Sequence, residues 1–115
     1  MSTDRPSESA YQRLVALERA NRVRLARATL KRRLRAGEVA AADAILRSFR
    51  DTDTMTVAEL LLSQRGWGPR RSAKTLRLVS LSEKKTLGSL TERQRVTLAA
   101  VLSSPQNKHG TIRSS

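Results

Sequence analysis

The feature that most constrains this chain is a run from about Ser7 to Ala36 that contains neither proline nor glycine, is rich in Arg, Leu and Ala, and ends at Gly37. Nothing in it breaks a helix, and a glycine just past the last helical residue is the usual C-terminal stop. A long helix of up to eight turns is therefore expected over residues 8–37. The 115 residues leave room for one small domain beside it and not for two sizeable cores. Tyr11, Phe49 and Trp67 are the only aromatic residues, so the core has to come from aliphatic helix faces. The expected fold is all-α: a long basic helix packed on a small domain of about four further helices.

Placed at about 100° per residue, the apolar side chains of the long helix fall on two stripes. Tyr11, Leu14, Leu17, Leu25 and Ala28 share one side; Val23, Ala26, Leu30 and Leu34 share the other. The second stripe is expected to pack on the domain, while the first three or four turns extend outward or meet a partner. A third strip holds Arg13, Arg24, Arg27, Lys31 and Arg35 and no acid at all. A solubility face normally mixes signs, so this strip is assigned to phosphate.

Residues 38–102 should form the rest of the domain. Val39, Ala42, Ile45, Leu46 and Phe49 recur at helical spacing over 38–49, with Phe49 as a core plug, and Asp51-Thr52-Asp53-Thr54 end that helix as a turn. Thr56 with Glu59 has the spacing of a capping box before Val57, Leu60 and Leu61. Gly66-Trp67-Gly68-Pro69 is the sharpest interruption, and its proline suits the first turn of the next helix, Pro69 to Val79. That helix opens on Arg70 and Arg71, continues with Lys74, and offers a phosphate its N-terminal amides and dipole. A longer connection from Ser80 to Leu90 carries Lys84, Lys85 and Gly88; Thr91 with Gln94 then caps a last helix to about Leu102, with Arg93 and Arg95 outward. Residues 1–7 are expected to be a flexible leader and 103–115 a disordered tail.

The formal charge of +13 is unevenly spread. Residues 1–37 carry ten Lys/Arg against three Asp/Glu, residues 38–54 two against four, and residues 55–102 nine against three. Two basic blocks flanking an acidic one attract polyanions, and counterion release from phosphates is the usual source of affinity. Other functions are disfavoured. The absence of cysteine removes disulfide scaffolds, thiolate metal sites and thiol catalysis. No apolar run approaches the roughly 18–20 residues of a membrane span, and the start of the chain lacks the apolar segment of a secretory signal, so a cytoplasmic protein without membrane contact is expected. His109 lies in the expected tail, and Asp51 with Asp53 fit a turn better than a metal site. No enzyme activity, metal or cofactor is expected.

The run Met55-Thr56-Val57-Ala58-Glu59-Leu60-Leu61, then Trp67-Gly68 opening a basic helix, then Leu87-Gly88-Ser89-Leu90-Thr91-Glu92-Arg93-Gln94-Arg95, resembles the actinobacterial integration host factor family of mycobacteria and streptomycetes. The segment Arg27 to Leu34, followed by Gly37, is similar to the end of that family's long first helix, and the likeness spans about residues 22–102. It implies a helix-two-turn-helix domain at about 55–102, binding double-stranded DNA with little sequence preference, bending or compacting it, and assisting phage integrase in mycobacteria. Such a protein works in the nucleoid, and a monomer is expected without DNA. By position the family's hairpin contact falls on Trp67, Gly68, Pro69 and Arg70, and its arginine cluster on Lys85, Thr86 and Gly88. One cation remains at that second site, with Lys84 beside it, and lysine lacks the arginine fork that enters a minor groove. The expected DNA surface is therefore Gly66, Trp67, Gly68, Arg70, Arg71 and Lys74 first, then Lys84, Lys85, Arg93 and Arg95, with the strip Arg13, Arg24, Arg27, Lys31 and Arg35. An RNA-binding or ribosome-associated role is the alternative, because a ribosomal protein uses the same two-turn motif. DNA glycosylases that carry it join it to a catalytic N-terminal domain with a proline nucleophile and often a zinc finger; here Ser2 follows Met1 and there are no cysteines, so catalysis is not expected.

Overall fold

The computed structural model describes residues 7–47 and 49–104. They form five α-helices: α1 (Glu8–Ala36), α2 (Ala41–Arg47), α3 (Val57–Ser63), α4 (Pro69–Leu78) and α5 (Glu92–Ser103), with a 3-10 turn at Leu87–Ser89 before α5. No strand occurs among the described residues; Thr56 and Thr86 form an isolated antiparallel bridge. Of the expected leader (1–7), residues 1–6 lie outside the described residues, as do residues 105–115 of the expected tail (103–115); Ser7 caps α1 and Ser103 ends α5.

The long helix starts and stops where its local chemistry dictates. The Ser7 hydroxyl accepts from the Ala10 amide at 3.1 Å, supplying one of the partners that a first turn lacks. At the other end Gly37 takes φ 77°, a left-handed conformation suited to glycine. The Gly37 and Glu38 amides then donate to Leu34 and Arg33. With 29 residues, α1 is about 43 Å long, longer than the domain it packs on can cover. Leu30 and Leu34 are buried, whereas Tyr11, Leu14, Leu17 and Leu25 are 54–67% exposed. The C-terminal half of α1 is thus the docked half.

The domain closes around Leu30 and Leu34 with Ile45 from α2, Met55 before α3, Val57, Leu60 and Leu61 from α3, Leu76 from α4, and Leu98 and Leu102 from α5. Helix α2 packs chiefly on α5, and α3 packs on α4 and α1. Phe49, expected as a core plug, is only half-buried and packs against the margin of this core.

Two expectations need correction. Helix α2 is shorter than residues 38–49: Glu38 is drawn into the C-terminal cap of α1, and Val39 is buried in the connection. Beyond Arg47 the chain turns, with Asp51 at φ 63° and the Thr52 amide and hydroxyl both donating to the Phe49 carbonyl. The second correction concerns the capping box on α3. The Thr56 hydroxyl does accept from the Glu59 amide at 3.0 Å, but the Glu59 carboxylate turns away to α1. The capping box on α5 is complete, with Gln94 Oε1 accepting from the Thr91 amide and Thr91 Oγ1 from the Gln94 amide.

Candidate nucleic-acid interface

The hairpin between α3 and α4 is held on its inner side and open on its outer side. The Trp67 amide donates to the Gln64 carbonyl at 3.1 Å, closing the turn, and Gln64 Oε1 accepts from the Ala41 amide at 2.9 Å, fixing the turn to the start of α2. Trp67 is buried, so it fills the hairpin and is not presented as a wedge between bases. The Arg71 guanidinium lies over its ring, 4.1 Å from the centroid, a cation–π contact that also orients the arginine. Burial pulls the Arg71 pKa below the ordinary arginine value.

The two glycines have different reasons to be there. Gly66 takes φ 79°, which a side chain would strain. Gly68 has φ −108° and no heavy atom within 4 Å of where a Cβ would stand. Neither backbone conformation nor packing asks for glycine at that position, and its consequence is bare backbone at the mouth of α4. Pro69 occupies the first helical position, no side chain caps Gly68, and the first turn of α4 has no acid. Arg70 and Lys74 are exposed beside this opening. The arrangement offers an anion backbone groups, a helix N-terminus and cations together.

Arg65, exposed at the same hairpin, is an additional cation that sequence reasoning passed over. A Cβ on Gly37 would stand 3.8 Å from an Arg65 guanidinium nitrogen. This brings the hairpin beside the C-terminal end of α1, where Arg35 is exposed. A lone arginine before a Gly-Trp-Gly turn carried the signal, but the basic run starting at Arg70 overshadowed it.

The strip on α1 meets an acid from another element. Arg27 donates to both Glu59 oxygens at 2.8 and 3.0 Å, and Lys31 pairs with the same carboxylate. Burial pushes the Glu59 pKa up, but hydrogen bonds from Lys31 and Arg27 and their charges outweigh it and leave it below the ordinary carboxylate value. Two cations of the strip thus share one counter-charge, while Arg13, Arg24 and Arg35 are exposed and have no ion pair among the described residues. Arg24 also donates to the Asn21 side chain.

The second turn is stitched to the segment before α3. The Lys85 carbonyl accepts from Val57, and the Leu87 and Gly88 amides donate to Met55 and Asp53, at 2.8–2.9 Å. A Cβ on Gly88 would come within 2.8 Å of Asp53 Cβ, so an arginine cannot replace it without movement. Lys84 is exposed and Lys85 half-buried. Arg93 is exposed, but Arg95, expected outward, points inward. It donates to the Ile45 carbonyl at 2.8 Å and to the Leu87 carbonyl at 2.7 Å. Buried carbonyls need donors, and a guanidinium has enough to serve two segments at once.

Among the described residues no helix is long and apolar enough to cross a membrane, and no three acidic or histidine side chains cluster as a metal site would require. No known family profile and no curated protein matches the sequence. Among solved structures, the chain is similar to the integration host factor sIHF bound to an 8-bp palindromic DNA, with a TM-score of 0.64, 26% sequence identity, and coverage of 73% of this chain and 97% of that one. The likeness takes in nearly all of that protein, so the fold described above is similar to one solved on a duplex.

Proposed function

We propose that this protein is an architectural double-stranded DNA-binding protein of the actinobacterial integration host factor type. It grips the sugar-phosphate backbone with little sequence preference and bends or compacts nucleoid DNA, with assistance to an integrase as a further role. The observation that carries this reading is the open mouth of α4. Bare backbone at Gly66 and Gly68, an acid-free helix N-terminus, and the exposed Arg70 and Lys74 face outward together, on a fold similar to sIHF, which was solved on DNA. Phosphate contacts of this kind fix a protein on a duplex without reading its sequence.

Arg65, Arg70 and Lys74 hold one stretch of backbone, Arg71 supports them from its seat on Trp67, and Arg24 and Arg35 extend the grip along α1. Neutralising about five to nine phosphates gives a log–log salt slope of roughly −4 to −8. Arg70→Ala with Lys74→Ala removes two exposed cations and leaves the Trp67 contact in place. The double variant is expected to weaken binding to all duplex sequences alike and to make the slope shallower by about 2. Affinity and slope equal to wild type would show that the hairpin is not the contact. Competition between duplex DNA and structured RNA at equal phosphate concentration separates this function from the RNA-binding alternative.

A further inference from the structure

A cleft of about 530 Å³ lies between α1 and the link from α2 to α3, lined by Leu25 and Arg33 from α1 and by Arg47, Phe49, Arg50 and Thr52 across from it. Three arginines, Arg33, Arg47 and Arg50, and one half-buried aromatic ring line it together. The Arg33 guanidinium stands 6.0 Å from the Phe49 centroid. Among the described residues Arg47 and Arg50 have no ion-pair partner, and the nearest carboxylate to Arg33 is Glu38 at 3.7 Å, with both side chains about half exposed. Such an exposed pair is screened by water and holds its arginine weakly. Among the described residues no carboxylate lines the cleft.

The position of this cleft matters as much as its charge. At about 100° per residue, Arg33 lies roughly half a turn around α1 from Arg24, Lys31 and Arg35. The basic strip and the cleft therefore occupy opposite flanks of one helix. A duplex held along the strip has the body of α1, about 10–12 Å across with its side chains, between it and Arg33, and leaves the far flank open.

We infer that this cleft holds the sugar-phosphate backbone of a second DNA duplex, so that one chain bridges two duplexes. Arg33, Arg47 and Arg50 supply the fork-shaped donors that suit phosphodiester oxygens. The Phe49 ring gives an apolar floor for the adjoining deoxyribose, and Thr52, whose hydroxyl is already spent on the Phe49 carbonyl, holds the turn in place. The inference rests on the duplex-binding function proposed above and assigns it a second surface.

The test uses the full chain and Arg47→Gln with Arg50→Gln, both exposed side chains, with circular dichroism to verify the fold. Fluorescence anisotropy with one short duplex reads the first site, and capture of a labelled duplex by a different bead-bound duplex reads bridging. The double variant is expected to stay within about twofold of wild type in anisotropy and to lose capture by about tenfold or more. Capture equal to wild type overturns the inference, and so does a parallel loss in both assays, which would place both arginines on the first duplex. Wild-type protein that binds one duplex and captures none sinks the bridging inference alone. Wild-type protein that binds no duplex sinks the function on which it rests. Capture that survives the arginine changes and disappears in Leu14→Ser with Leu17→Ser assigns bridging to pairing of the exposed arms of α1, and also overturns it.

Discussion

Glu59 occupies a position where a local rule and a tertiary contact compete. Three residues after Thr56, its side chain has the spacing to complete a capping box, yet it joins Arg27 and Lys31 across the α1–α3 packing. Two charge-assisted partners on a part-buried carboxylate outweigh one backbone amide at the helix start. The consequence can be read by titration. Because the folded-state pKa of Glu59 lies below its unfolded value, the stability from this cluster is fully present above the unfolded value. It is lost as the pH falls from about 4.3 through the lower folded value. Glu59→Gln is expected to lower stability by about 1 kcal/mol at neutral pH and to lose that deficit in acid, as urea unfolding at several pH values would show. A deficit that persists unchanged below the titration would mean that the ion pairs contribute nothing. The same substitution releases two cations toward solvent and should tighten duplex binding at low salt.

At the scale of elements, what sequence shows and what it hides divide by the range of the interactions. Helices α1, α4 and α5 are legible because their ends are local: an unbroken run closed by Gly37, a proline at the first position, a reciprocal Thr91–Gln94 cap. The hairpin is legible for the same reason, since two glycines and a proline around one aromatic leave the chain few conformations. Arg95 is not. On a helical wheel it reads as solvent-facing, but its guanidinium serves carbonyls 50 and 8 residues away. Only the tertiary fold brings those together. The partnership of the α1 strip with Glu59, 32 residues from Arg27, was hidden in the same way. Arg95 therefore joins α5 to α2 and to the 3-10 turn. Arg95→Met is expected to cost about 2–3 kcal/mol in urea unfolding by stranding two carbonyls, while the folded fraction keeps wild-type affinity for DNA. Weaker DNA binding with unchanged stability would return Arg95 to the interface.

At the scale of the whole molecule, charge is partitioned by architecture. The docked half of α1 buries Leu30 and Leu34 and leaves one flank to the basic strip and the other to the Arg33 cleft, while the half that extends beyond the domain exposes Tyr11, Leu14 and Leu17. One helix serves as spacer, scaffold and charged rail because its length exceeds what the small domain can cover. The central claim is that the α3–α4 hairpin, continued along one flank of α1, is the face that meets a duplex. Amide chemical shifts of the full chain, followed as a short duplex is added at low salt, test this most directly. The largest changes are expected at Gly66, Gly68, Arg70, Arg71 and Lys74, followed by Arg24 and Arg35. Shifts concentrated on Lys84, Lys85 and Arg93, with the hairpin amides unmoved at saturation, would contradict it.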